Sequence, residues 1–451
     1  MANTTDFISA VYDELAKLLG GDLGPSSLMQ MAWPGYALSP ADFKRSEAPG
    51  GPYDPEVAKE TFSALANIAP ALGRARFENS GFEVDDIYDI VLSSAIPVGA
   101  TQETVATNPI YRLFSDAQYE LMQARRGLHD DPNGFYYPCS ATPVNWYDEG
   151  STQGWTTITL QQTDVKPATP AFAKAGGLDL AKSGVWRLKP AATEVAAIKT
   201  RILSVMAPRA AMLDKAADAQ PAVASPKITS SMLRKPAAVD AARSMMGARM
   251  PVAAKPASPQ LGGIDPAKVS RLFSPVSAPT KALSRPAVDV SRIDLAKRDL
   301  GVDRLAERLR LKDLLDKQLP SKPPSPATDG YSISFKVCRV SIERPWLKLA
   351  LLSTKNWWMF GTPAGMYSTG TAENNAGMFP LLTTSLIVIR DLKITANWSQ
   401  EDRQNLANAA SFGFFDVRNG TLNSNTLEVK GMQVIGWISR LTPMLPPLSP
   451  Q

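Results

Sequence analysis

The chain has 451 residues, 44% of them hydrophobic and 20% charged, with a formal charge of +5 and one histidine, His129. That length suffices for two or three ordinary domains, while a single histidine argues against His-based triads, His-rich zinc sites and most acid–base catalysis near neutral pH. Two cysteines, Cys139 and Cys338, are too few for a disulfide scaffold and read as reduced, partly buried thiols.

The first twenty residues carry Asp6, Asp13 and Glu14 and no basic leader, so they do not read as a secretory signal. No run approaches the eighteen apolar residues of a membrane span. The expectation is a soluble chain without a transmembrane segment, cytoplasmic in preference to exported without a cleaved signal. Phe7, Val11, Leu15 and Leu18 predict a helix over 6–19, ended by Gly20-Gly21. Residues 29–53 read as loop, with a turn at Trp33-Pro34-Gly35-Tyr36. Asp54 and Pro55 predict a helix start. Val57, Thr61, Leu65, Ile68 and Leu72 line one face of it, and Pro70 and Gly73 close it. Ser115 and Gln118 suggest a capping box for a helix to Arg126, with Gly127 as its left-handed cap. From Gly134 the pattern turns to strands at Phe135–Tyr137 and Trp155–Leu160.

Residues 165–328 hold 28 Lys/Arg against 13 Asp/Glu, a formal charge of +15, which leaves −10 on the flanks. They contain three aromatic residues, Phe172, Trp186 and Phe273. The segment shuffles Ala, Pro, Lys and Arg, as in Arg234-Lys235-Pro236-Ala237-Ala238, at irregular spacing, so it is biased composition and not a solenoid repeat. Such a stretch cannot bury enough apolar surface to offset its ordering entropy. It reads as a largely disordered insertion with helical spacing at Thr193–Val205 and, more clearly, at Asp303–Leu319.

Beyond it, Ile333, Phe335 and Val337 alternate, then Val340 and Ile342 alternate one step out of phase, which suggests a bulge near Cys338. Pro345–Leu352 reads as a helical turn and Ser353–Met378 as a glycine-bearing loop. Leu382–Ala396 is apolar enough for a central strand covered on both faces. Ser399 caps a helix through Ala410, Asn419-Gly420 is a turn, and Leu427–Arg440 is the last strand. The strand-rich regions sit at the inner edges of the two flanks, and neighbouring strands in sequence usually lie close in space. The predicted class is therefore α+β. A mixed sheet is assembled from both flanks, 1–164 and 329–451, with helices packed on it, interrupted by the long low-complexity basic insertion 165–328. Two separate domains are the alternative.

The run from His129 to Gly134 has the residues of a tight turn more than those of a metal site. Glu83, Asp85, Asp86 and Asp89 lack the spacing of a calcium loop and read as solvated acids at a helix start. Gly361 to Gly370 lacks the signatures of phosphate and dinucleotide loops, and Ser368-Thr369-Gly370 lacks those of a nucleophile elbow. No cofactor, metal or catalytic residue is predicted. Trp357-Trp358-Met359-Phe360 either plugs the core or anchors a partner or membrane. Trp357, Trp358, Phe360 and Tyr367 are the candidate contact residues. The expected function is that of a non-enzymatic structural or protein-interaction protein with a protein partner or self-association. The alternatives are a peripheral membrane protein using 357–367 and the basic tract, and a carboxylate-based hydrolase. The tract itself predicts weak, non-specific contact with anions, nucleic acid or anionic membrane, without aromatics for single-strand stacking.

Overall fold

The computed structural model describes residues 4–20, 26–45, 52–72, 76–100, 104, 107–129, 134–164, 186–188, 316, 321–322, 329–359, 361–373 and 375–449. Helix α1 spans Thr4–Gly20 and strand β1 Ser27–Leu38, followed by a 3-10 turn at Pro40–Phe43. Helix α2 (Pro55–Ala66) leads to the short strands β2 (Ile68–Pro70) and β3 (Asn79–Glu83). Then come α3 (Val84–Ser94), β4 (Ala95–Pro97) and α4 (Pro109–Ala124). The first flank ends with β5 (Arg126–Gly127), β6 (Phe135–Tyr136), β7 (Ser140–Thr142) and β8 (Trp155–Gln161). Within the basic stretch lie β9 (Trp186–Leu188) and β10 (Ser321–Lys322). The second flank runs β11 (Asp329–Glu343), α5 (Leu349–Leu352), β12 (Trp357–Met359), β13 (Leu381–Asn397), α6 (Gln400–Ala407), β14 (Ala409–Phe412), β15 (Phe415–Asp416), β16 (Gly420–Asn423) and β17 (Thr426–Leu441).

Local chemistry explains most helix boundaries. The Asp54 side chain accepts from the Glu56 amide ahead of Pro55, and Ser399 accepts from the Asp402 amide at the start of α6. Helix α1 buries Phe7, Ile8, Val11, Tyr12, Leu15 and Leu19. Leu18, expected inside, is 44% exposed, because the stripe runs through residues four apart and ends on Leu19. Helix α2 stops at Ala66, so Ile68 and Pro70 belong to a strand and not to its apolar face. Helix α4 begins six residues before the expected Ser115, because the Asn108 side chain accepts from the Ile110 and Tyr111 amides and Pro109 follows it. The spacing at Thr193–Val205 and Asp303–Leu319 falls outside the described residues, except for Asp316, which is helical.

The main sheet has the order β1-β17-β13-β11-β7, with β16 on β17 and β8 on β11. It draws strands from both flanks, as the α+β reading required. Every ladder among the described strands is antiparallel, which corrects the expected mixed sheet. The reason lies in element order. Parallel neighbours need long crossovers, usually a packed helix; the four longer helices α1–α4 precede β11, β13 and β17, and only α5 (4 residues) and α6 (8 residues) stand between those strands. Residues 29–38 are no loop either: β1 pairs along β17, and its register shifts between Met31 and Tyr36. The Pro and Gly that resembled a turn sit at that irregularity.

Both faces of the sheet are covered. Leu386 and Val388 of β13 join Phe62, Leu65, Ile87, Val91, Phe114 and Trp437 on one side. Ile387 and Ile389 join Phe7, Val11, Leu15, Phe412 and Phe415 on the other. Each fully buried large side chain of this kind contributes roughly 2 kcal/mol. The phase change in β11 needs no bulge at Cys338. Ile333, Phe335 and Val337 point to the α1 side, and Cys338 and Val340 point to the α2–α4 side. The strand is continuous there, pairing Val337 with Ile389 and Cys338 with Val388. Its two halves are covered on opposite faces.

The basic insertion leaves and returns between adjacent strands. Gln161 of β8 pairs with Ser332 of β11, and Trp155 with Cys338. Described residues of the insertion join the flanks: β9 pairs with both β10 and β14, so residues 186–188 and 321–322 extend a small sheet of order β10-β9-β14-β15. All described residues belong to one compact unit.

Candidate functional site

The aromatic stretch is mostly core. Trp357 in β12 has 0% exposure, its indole Nε1 donates to the Thr354 carbonyl at 2.7 Å, and Phe114 meets its ring edge-on at 5.2 Å. Tyr367 is 5% exposed, and burial raises the pKa of its phenol. Trp358 is partly exposed, and Phe360 lies outside the described residues. Trp357 and Tyr367 therefore do not form an exposed contact patch: pairing of β12 with β4 turns Trp357 inward.

The glycine-bearing loop beside it is pinned by the C-terminal segment. The amides of Gly365 and Tyr367 donate to the carbonyls of Pro446 and Leu445, and the Leu445 amide donates to the Ser368 carbonyl. The Ser368 hydroxyl is fully buried, donates to the Thr442 carbonyl, and accepts from Asn375 Nδ2 and the Gly370 amide. The Thr369 amide donates to Asn375 Oδ1. The amides of Gly365, Tyr367, Thr369 and Gly370 are thus taken up within the chain and not presented to an anion.

The titratable groups are held in structural contacts. Cys139 Sγ donates to Asn67 Oδ1 at 3.3 Å, and burial pushes its thiol up to about 12, with the Asp85 charge adding to the rise. Cys338 is pushed up to about 11, again by burial. Neither is a thiolate nucleophile near neutral pH. Both are free and buried, as the sequence suggested. Asp85 is buried on α3, while Asp89 is exposed. Arg344 donates to the carbonyls of Ala66 and Thr383 at 2.5 and 2.7 Å; burial lowers its pKa, and the charges of Cys139 and Asp85 oppose that shift. His129 Nδ1 lies 3.1 Å from Glu60 Oε2. Among the described residues, no three His, Cys, Asp or Glu side chains converge as a metal site would.

The root of the insertion was not visible to sequence reasoning. Arg187 of β9 is buried, and its guanidinium donates to the Asp316 carbonyl at 2.7 Å across 129 residues. Burial and then the Arg76 charge lower its pKa, while Asp316 opposes them. Arg418 lies 3.7 Å from the Asp316 carboxylate and forms a forked ion pair with Asp416. Gln433 exchanges two hydrogen bonds with the Asp416 backbone. Both limbs of the insertion thus meet at one charged cluster on the C-terminal flank. Asp416 also lines an open polar cleft of ≈ 470 Å³ with Asp42, Glu149, Lys430 and Gln433. Only proximity in the fold unites these residues, and no local motif marked them. No family model, curated protein or solved structure matches the chain.

Proposed function

We propose that this chain is a non-enzymatic structural or protein-interaction protein: a rigid two-sided sheet that roots and displays a basic insertion. The observation that carries the reading is the position of the insertion. It departs from β8 and returns in β11, two strands that stay paired, and Arg187, Asp316 and Arg418 tie its two limbs together. An insertion placed there leaves the β8–β11 ladder intact while adding a segment of formal charge +15 to the chain. Charge of that size favours association with acidic partners, and such attraction is screened by salt. The engagement of both thiols and of the glycine loop in core contacts adds support.

Excising residues 190–315 with a short flexible linker keeps β9, Asp316 and β10. The shortened chain should fold with an unchanged circular dichroism spectrum. It should also lose salt-sensitive retention on an acidic protein or heparin surface. Native mass spectrometry tests the enzymatic alternative. A stoichiometric small ligand or metal that disappears on Asp85→Asn would replace this reading with the carboxylate-based one.

A further inference from the structure

We infer that the sheet edge formed by β8 takes a second copy of this chain, by antiparallel pairing of β8 with β8. This rests on the interaction-protein reading above and names its partner. The two edges of the sheet are treated differently. On β1, the Met31 carbonyl accepts from the Phe77 amide at 2.8 Å, Gln30 reaches the Ala71 carbonyl, and the Gly35 amide donates to Phe414. That edge is broken by a register shift and covered by its own chain. On the β8 side, seven consecutive residues from Trp155 to Gln161 pair with β11 without a shift, and no other described strand pairs with β8. Thr156, Thr157, Thr159 and Gln161 are exposed.

Natural sheets guard such edges with lysine, proline, a bulge or a covering segment. From Trp155 to Gln161 there is no charged residue and no proline, and the chain caps only the end amides, Trp155 on the Thr152 carbonyl at 3.2 Å and Gln161 on the Asp164 carboxylate at 3.0 Å, which leaves the centre of the strand for pairing. The strand is also held rigidly. Ile158 is 6% exposed, and the Arg390 guanidinium lies 4.1 Å from the Trp155 ring centroid. A second copy fits this edge because the sequence is self-complementary. In an antiparallel register centred on Ile158, Thr157 faces Thr159 of the second copy, and Thr156 faces its Leu160. Such β-branched and apolar pairs favour cross-strand packing, and no like charges meet. The arrangement is a closed two-fold dimer that joins two sheets edge to edge. One seven-residue strand makes a small interface, so the dimer belongs to the weak class.

Sedimentation velocity of the full chain over a concentration series tests the pairing. The mass should rise from one chain toward two, and the amides of Thr157 and Thr159 at the centre of β8 should gain hydrogen-exchange protection over the same range. The variant Thr157→Glu/Thr159→Glu places like charges opposite each other across the two-fold axis. Glutamate is chosen because Lys336 of β11 lies opposite Thr157. This variant should remain a single chain at every concentration, with an unchanged circular dichroism spectrum. If it fails to fold, the exchange data on the natural chain decide alone. A single-chain mass at all concentrations overturns the proposal, as does a dimer without added protection at β8. Protection of β8 at every concentration in a single chain would mean that the insertion occupies the edge, and the proposal falls. A monomeric result leaves the interaction reading intact, since that is tested separately by the excision and the ligand survey above.

Discussion

Trp357 and Trp358 are adjacent, yet the fold gives them opposite roles. Trp357 is enclosed against Phe114 with its indole N–H satisfied, so Trp357→Ala removes a packed ring and a hydrogen bond. It should cost about 3–5 kcal/mol in urea unfolding. Trp358 is partly exposed, and Trp358→Ala should cost roughly 1 kcal/mol or less. Equal costs would contradict the inward turn of β12. The buried thiols make a second prediction. The Cys139 pKa rises from 9.0 to about 12 in the folded chain, so between those values the unfolded chain has lost a proton that the folded chain keeps. Stability is then full below about pH 9 and falls as pH rises toward 12. Cys338, raised to about 11, acts in the same direction. Chemical unfolding measured at pH 7.5, 9 and 10.5 should show this decline, and Cys139→Ala should flatten it relative to the natural chain.

Among the elements, β9 is three residues long yet joins the insertion to the C-terminal flank through β14 and to the insertion's returning limb through β10. A strand so short depends on side-chain anchors, and Arg187 is the one that reaches Asp316. A hydrogen bond from a charged group is worth about 1.5–3 kcal/mol. Arg187→Ala should therefore speed amide exchange in 186–188 and 321–322 by roughly tenfold or more, while exchange in β13 stays unchanged. Unaltered exchange at β9 would show that backbone pairing alone holds the root. At this scale β13 was the most legible element. Its near-continuous apolar run demanded cover on both faces, and both hydrophobic clusters meet on it. By contrast, β1 was hidden, because Trp33-Pro34-Gly35 carries turn residues into a strand whose pairing with β17 lies some 400 positions away in sequence.

For the whole molecule, we propose that 1–164 and 329–451 form one discontinuous domain around the insertion 165–328. Neither flank holds the complete main sheet: β1, β7 and β8 come from the first and β11, β13 and β17 from the second. The clusters on each face also mix both flanks, as where Phe7 stacks on Tyr331 at 5.4 Å and Phe77 on Trp437 at 3.7 Å. Co-expressed as separate chains, the two pieces should purify as a stoichiometric complex with a single unfolding transition. Independent cooperative folding of each piece, without association, would establish two domains instead.

What the chain alone made legible was whatever its local chemistry controls. The Asp54-Pro55 and Ser399 caps, the apolar stripe of α1, the doubly buried β13 and the basic, aromatic-poor insertion all follow from residue type and spacing within one or two turns or strands. The α+β class and a sheet shared by both flanks followed from where the strand-forming runs fall. The tertiary structure decided which apolar residues are covered and by what. It turned Trp357 and Tyr367 inward, set the two halves of β11 against opposite layers, and brought Arg187, Asp316, Arg418 and Asp416 into one cluster. Among the described residues it gave β8 one strand partner, β11, while covering the outer edge of β1. Those outcomes depend on contacts between residues tens to hundreds of positions apart, and spacing within a short window carries no information about them.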